Sequence, residues 1–85
     1  KKTYNANLEA TYTATVAGCK SIGLPVLEES KQLSQASVKT KDGDRDVWIT
    51  LKTQSSTTTE VAIRVGYLGD EATSRRIHEA IGSKL

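Results

Sequence analysis

The sequence has no phenylalanine, no methionine, and only one tryptophan, one proline and one cysteine in 85 residues. A hydrophobic core must therefore be built from valine, isoleucine, leucine, alanine and a few rings. Eleven threonines, several beside valine or isoleucine, favour strands because β-branched side chains pack well on a pleated sheet. A chain of this length forms one domain, residues 1–85, and buries only about 60–65% of its unfolded surface. We therefore expect little room for a deep active-site cavity.

The sequence also has little net charge and no long apolar run. Twelve basic residues against ten acidic ones give a net charge of +2, which argues against nucleic acid or an anionic membrane as a partner. No apolar run approaches the roughly 18–20 residues that span a bilayer. No signal peptide is visible, but the abrupt start at Lys1 and Lys2 suggests a domain trimmed from a longer protein.

Cys19 is the single cysteine, which excludes an intrachain disulfide, a CxxC motif and a multi-cysteine zinc site. It falls inside a predicted helix among apolar residues, so we expect a buried structural thiol. A reactive or dimerising cysteine is the alternative.

Apolar spacing predicts the element order β-α-β-β-β-β-α. A short strand over 2–6 precedes a helix that begins at the cap Asn7 and ends before Gly23. Its apolar face carries Leu8, Tyr12, Val16, Cys19 and Ile22. Gly18 within this helix is expected to mark close packing on the sheet.

Four strands follow over about 26–30, 33–41, 45–54 and 58–67, and the last helix begins at the cap Asp70. The buried stripe of that helix is predicted to contain Ser74, Ile77, His78, Ile81 and Leu85. An antiparallel meander needs one face covered, and two amphipathic helices are available. We therefore expect a two-layer α+β domain with both helices on one face of the sheet.

The hairpin signal Asp42-Gly43 predicts the register of the third and fourth strands. A two-residue turn there leads to the inward pairs Val38–Val47 and Ala36–Ile49, and to the outward pairs Lys39–Asp46 and Lys41–Asp44.

Alignment of the inward side chains predicts the register of the fourth and fifth strands. It leads to the pairs Leu51–Val61, Ile49–Ile63, Lys52–Glu60 and Trp48–Arg64. The last of these would be a cation–π pair.

The loop Gly66-Tyr67-Leu68-Gly69 before the last helix invites comparison with a phosphate-binding loop, since helix N-termini attract anions. Neither GxGxxG nor GxxxxGK[ST] is present, and Asp70 and Glu71 would repel an anion. We interpret Gly66 as a bulge or a close helix approach, and Gly69 as a turn residue.

The other candidate chemical motifs also fail. The segment 42–46 has carboxylates at calcium-loop spacing, but Val47 and Thr53 stand where that loop requires glycine and glutamate. His78 is the single histidine and lacks metal-binding partners, so a partly buried structural role is expected. Glu28 and Glu29 are adjacent and would face opposite sides of a strand. We therefore expect no enzymatic activity, no cofactor and no metal.

The uncovered sheet face is the remaining candidate for function. Its predicted interaction residues are Trp48, Arg64, Lys39, Lys52 and Thr50, with Ser37 and Ala62 beside them. RNA-recognition sheets present aromatic rings and cations in this way, but here there is one ring and the cations have acidic partners. Contact with a protein partner or self-association is favoured. A small-ligand or nucleic-acid binding module that uses the same face is the alternative.

A family resemblance extends over nearly the whole chain. It is carried by Asn5-Ala6-Asn7-Leu8-Glu9, Thr11-Tyr12-Thr13-Ala14-Thr15, Gly23-Leu24-Pro25-Val26, residues 31–33, Asp42-Gly43, Val47-Trp48-Ile49, and the pattern of Arg64-Val65-Gly66, Gly69-Asp70, Ser74 and Ile77. In these features the chain resembles an uncharacterised family of small proteobacterial cell-envelope lipoproteins, a domain of unknown function.

The resemblance implies a periplasmic or membrane-anchored location, with a signal peptide and a lipidated cysteine upstream of this region. Cys19 lies within the domain and is not that cysteine, so contact with the membrane is expected only through an anchor outside this chain. The family offers no established catalytic residues to transfer.

Overall fold

Seven elements make up the computed structural model, which describes residues 1–85. They are β1 (Lys2–Tyr4), α1 (Leu8–Ser21), β2 (Val26–Lys31), β3 (Gln35–Asp42), β4 (Arg45–Ser55), β5 (Thr58–Val65) and α2 (Glu71–Ser83). The five strands form one antiparallel sheet in the order β1-β5-β4-β3-β2, and α1 and α2 lie against each other on one of its faces. The predicted β-α-β-β-β-β-α order and the two-layer α+β class are confirmed. Neither helix is long and apolar enough to cross a membrane.

The core lies between the sheet and the helices. Strand alternation places Val38, Val47, Ile49, Leu51 and Val61 on the covered face, where each is at most 1% exposed. Ile77 and Ile81 of α2 and Cys19 of α1 complete this layer and are fully buried.

Threonine is part of this core, which explains how a chain without phenylalanine or methionine fills it. Thr11, Thr15, Thr40 and Thr59 are all fully buried. Each donates its hydroxyl to a backbone carbonyl, as Thr15 does to Thr11 at 2.8 Å and Thr59 to Ala6 at 2.9 Å. These hydrogen bonds offset the cost of burying the hydroxyls, while the methyl groups pack as those of valine would.

The buried face of α1 differs from the predicted one. Leu8 and Cys19 are buried as expected, but Tyr12, Val16 and Ile22 are only partly buried. The rest of the face is formed by Thr11, Ala14, Thr15 and Gly18. The prediction that Leu85 is buried is also wrong, because α2 ends at Ser83 and Leu85 is 50% exposed.

Gly18 packs on α2 rather than on the sheet, so that prediction is wrong about its neighbour. A Cβ atom at this position would lie 2.9 Å from the carbonyl carbon of Ala80 and 3.0 Å from the backbone nitrogen of Ile81. The backbones of the two helices are therefore in direct contact at Gly18, which leaves no room for a side chain at this position.

The predicted register between β3 and β4 is wrong by two residues. The turn is Gly43-Asp44 instead of Asp42-Gly43, so Val38 faces Ile49 and Ala36 faces Leu51. Gly43 has a φ of +67° and Asp44 has a negative φ, which is the type II′ pattern with glycine at the first central position. A shift of two residues leaves every side chain on its predicted face.

The predicted charge pairs of this hairpin change with the register. Lys41 faces Asp46 and Asp42 faces Arg45, while Lys39 faces Trp48. The hairpin therefore keeps two opposite-charge rungs, but with different partners from those predicted.

The predicted register between β4 and β5 is confirmed. Its pairs are Leu51–Val61, Ile49–Ile63, Lys52–Glu60 and Trp48–Arg64. β5 ends at Val65, two residues earlier than predicted, and Gly66 follows with a φ of +62°. Nothing lies within 4 Å of a Cβ placed at Gly66, so the interpretation as a close helix approach is wrong.

Candidate functional site

Trp48 lies at the centre of the sheet face that the helices leave open. Val47 and Ile49 point into the core, so strand alternation turns Trp48 outward, between Lys39 of β3 and Arg64 of β5. The guanidinium carbon of Arg64 is 4.6 Å from the centroid of the tryptophan ring, which confirms the predicted cation–π pair. Such a contact at a solvent-exposed site contributes about 0.5–1 kcal/mol.

The other predicted face residues lie on adjoining rungs. Thr50 sits between Ser37 and Ala62, and Lys52 sits between Gln35 and Glu60. The ammonium group of Lys39 is 3.9 Å from the carboxylate of Glu28 on β2. The structure thus places all five predicted residues on one surface, which we call the outer face: Trp48, Arg64, Lys39, Lys52 and Thr50.

The charges of the outer face are only partly paired. Glu60 is 3.9 Å from the ammonium group of Lys1 and accepts a hydrogen bond from Gln54, so its ion-pair partner is Lys1 rather than Lys52. Arg64 and Lys52 form no ion pair with a carboxylate. The face therefore offers one aromatic ring and two unpaired cations to a partner.

Tyr67 and Leu68 are an exposed apolar pair that the sequence interpretation missed. They are 96% and 101% exposed, and they form the loop between β5 and α2. Together with Trp48, Asp44 and other residues they line a cleft of about 490 Å³. The sequence signal that could have found them is two consecutive large apolar residues in a loop, outside the apolar spacing of both flanking elements.

His78 and Tyr4 form a contact between α2 and β1. The Tyr4 hydroxyl donates to the carbonyl of His78 at 2.9 Å and lies 2.9 Å from its Nδ1 atom. Burial raises the pKa of Tyr4 to about 12. Burial, followed by repulsion from the N-terminal amine and Lys2, lowers the pKa of His78. Both side chains are therefore neutral near pH 7.

These groups are not gathered into a catalytic arrangement. Tyr67 and His78 line different clefts. No group of three or more His, Cys, Asp and Glu side chains is placed to hold a metal ion. Cys19 is fully buried, as predicted, and burial raises the pKa of its thiol to about 11.

Asp70 connects α2 to the hairpin of β3 and β4. Its carboxylate accepts the backbone N–H of Thr73 at 3.0 Å, which confirms the predicted N-cap. It also accepts a hydrogen bond from the Arg45 guanidinium at 2.7 Å, and that guanidinium donates to Asp42 at 3.1 Å. The hydrogen bond from Arg45, followed by that from Thr73, lowers the pKa of Asp70 from 3.8 to about 2.

The depressed pKa of Asp70 predicts how the stability of the domain depends on pH. A carboxyl group whose pKa falls on folding stabilises the folded state when ionised. That stabilisation is complete above the unfolded pKa of 3.8 and is lost as the pH falls towards 2. Asp70→Asn keeps a capping side chain but removes the charge, so wild type should melt several degrees above this variant at pH 6.

Thermal melts of the two proteins between pH 6 and pH 2 measure this difference. It should be largest above pH 4 and disappear near pH 2. A difference that stays constant across this range would show that Asp70 acts through its capping geometry alone.

The fold and face define a two-layer α+β domain with an open antiparallel sheet and no evident catalytic or binding site. Residues 1–84 match a family described as a protein of unknown function, DUF3568, and the chain belongs to that family. No curated protein matches it.

Proposed function

We propose that this chain is a non-enzymatic domain of the cell envelope that acts by contact with another protein or with a second copy of itself. The observation that carries this proposal is the uncovered outer face, with the Trp48–Arg64 pair at its centre. Tryptophan and arginine are among the residues that are enriched at the energetic centres of protein interfaces. The mixed charge around them suits a protein surface better than a polyanion.

The exposed pair Tyr67 and Leu68 supports the same role. Trp48 lines the same cleft as both residues, so the apolar surface continues from the outer face onto the loop. Contiguous apolar surface that stays open to water is a mark of interaction sites.

We propose, further, that the full-length protein is held in the periplasm by a lipid anchor upstream of Lys1. The support is the resemblance of the Arg64–Ile77 pattern and the first helix to small envelope lipoproteins. Palmitate labelling of the full-length gene product, followed by cell fractionation, tests this proposal. Label in the envelope fraction is expected, and an unlabelled cytosolic product would contradict it.

Substitution of Trp48 by alanine should weaken partner binding at least tenfold, because the ring is the largest side chain on the outer face. A photo-crosslinking residue at position 50 first captures the partner in cells, and the purified pair then gives the dissociation constant. Lys20→Ala is the matched control, since Lys20 is exposed on α1 away from the outer face. Circular dichroism of each variant serves to check that it is folded.

An unchanged dissociation constant and unchanged sedimentation for Trp48→Ala would remove the outer face from the proposal. Titration with a single-stranded oligonucleotide tests the alternative function. Binding that weakens steeply with salt would favour the alternative, a nucleic-acid binding module on the same face.

A further inference from the structure

The outer face has a row of large side chains next to a row of small ones. The strand registers align four large side chains across β2 to β5, which we call the large row: Glu28, Lys39, Trp48 and Arg64. The adjoining outward side chains on the same four strands are small, and we call them the small row: Ser30, Ser37, Thr50 and Ala62. The surface is therefore a ridge with a groove beside it.

The groove has the dimensions of the ridge. Two clefts, of about 230 Å³ and 170 Å³, lie along the small row, and Ser30, Ser37 and Thr50 line both of them. Because the two rows cross the same four strands, the groove is as long as the large row itself. The large row of a second copy therefore fits the small row of the first in length.

A two-fold axis across the strands, between the two rows, brings these surfaces together. Two sheets related by such an axis pack face to face with their strands closely aligned, as sheets in sandwiches do. On β4 the axis passes over Ile49, so Trp48 of one copy lies on Thr50 of the other. On the neighbouring strands Lys39 lies on Ser37 of the second copy, and Arg64 lies on its Ala62. Every member of the large row then meets a small side chain.

The same axis pairs two charges that have no partner within the chain. Lys52 and Asp46 form no ion pair in the isolated domain. Across the axis, Lys52 of one copy lies opposite Asp46 of the other. Asp46 lines the cleft of about 490 Å³ together with Trp48 and Tyr67. A carboxylate and two aromatic rings are suitable surroundings for an ammonium group.

The other facing pairs contain no like charges. Lys41 lies opposite Gln35 of the second copy, and Glu60 lies opposite its Gly66. The two Trp48 rings lie beside the axis, at the centre of the contact, where the energetically important residues of interfaces cluster.

An axis along the strands gives a poorer fit. It would place each row on its own copy, large side chains on large ones, and leave a gap between the two small rows. With that axis over β4, Arg64 would also face Lys39, and like charges that face each other are destabilising. The size and charge patterns therefore favour the axis across the strands.

We infer that the outer face pairs with the outer face of a second copy of this chain, with the large row of each copy in the small row of the other. This inference rests on the proposed function and commits it to one partner and one arrangement. The contact is isologous, because the same surface is used by both copies, and the assembly closes as a dimer. Four strands provide a small contact area, so the dimer is reversible.

Charge exchange between Lys52 and Asp46 tests the arrangement, with sedimentation equilibrium up to millimolar concentration as the readout. Lys52→Glu and Asp46→Lys should each weaken dimerisation at least tenfold, because each opposes like charges across the axis twice. An equimolar mixture of the two variants should dimerise again, because the two introduced charges then face each other and one original pair is kept. Lys20→Glu, the same charge change on α1, should have no effect.

A measurement on the unmodified chain does not depend on the folding of any variant. A mixture of isotope-labelled and unlabelled chains should give NOEs between the Trp48 indole of one copy and the Thr50 methyl group of the other. A chain that stays monomeric at millimolar concentration would overturn the inference. So would a mixture of the two charge variants that does not dimerise, or intermolecular NOEs that exclude the outer face.

The partner captured through position 50 separates this inference from the proposed function. If that partner is a different protein whose binding depends on Trp48, and the chain is monomeric, the proposed function stands and the dimer fails. If neither binding nor dimerisation depends on Trp48, the proposed function itself fails.

Discussion

Replacing Gly18 with alanine should destabilise the domain by about 1–3 kcal/mol, the usual cost of overpacking a close contact. In a free helix the same substitution stabilises by about 1 kcal/mol, because alanine is the better helix former. The sign reverses here because the new Cβ atom would lie 2.9 Å from the carbonyl carbon of Ala80, and neither helix backbone can give way locally. Relief requires α1 and α2 to move apart and to loosen the core beneath them.

Gly82→Ala is the matched control for this prediction. Gly82 is also helical, but a Cβ atom there would meet only a Tyr4 side-chain atom at 3.9 Å. Urea denaturation should therefore show Gly82→Ala as neutral or slightly stabilising and Gly18→Ala as destabilising. If both variants stabilised equally, the helices would not be in backbone contact at Gly18.

Ile49→Ala should cost about 2–5 kcal/mol, because it leaves a cavity under a side chain that is 1% exposed at the centre of the sheet. A domain of this size has a free energy of unfolding on the order of 5 kcal/mol. The variant should thus be largely unfolded or close to it at 37 °C.

Ile63→Ala provides the comparison, because Ile63 is the same residue type and directly faces Ile49 across the β4–β5 ladder. Ile63 is only partly buried, so its truncation should cost about 1 kcal/mol, the value of partial burial of an isoleucine. Chemical denaturation of both variants gives the two values. Equal costs would mean that Ile63 is buried in solution to the same extent as Ile49.

The order of elements and the β4–β5 register were predictable because they depend on strong local signals. Strict alternation fixes which residues of these strands face inward, and only one alignment brings Leu51 against Val61. The β3–β4 register was less determined, because a single glycine in Asp42-Gly43-Asp44 can occupy either central position of a two-residue turn. Hydrophobic alternation does not separate the two registers, since both keep the same faces.

Burial of α1 could not be predicted from apolar spacing alone. Thr11 and Thr15 count as polar in a sequence, but each hydroxyl bonds to a carbonyl one turn earlier and is buried at little cost. The approach of α2 to Gly18 depends on how two helices sit on the sheet, which no local pattern contains.

The candidate site was predictable to a similar degree. Trp48 and Arg64 came together as a direct consequence of the β4–β5 register. The exposure of Tyr67 and Leu68 depends on the direction of a loop, which is not visible in periodicity.

Arg45 gives the fold a coupling between distant segments. Its guanidinium holds Asp42 in the hairpin and Asp70 at the start of α2, twenty-five residues along the chain. The carboxylate that caps the last helix is therefore also held by the hairpin. The segment that presents Tyr67 and Leu68 thus lies just before a helix start that is joined to the hairpin through Arg45.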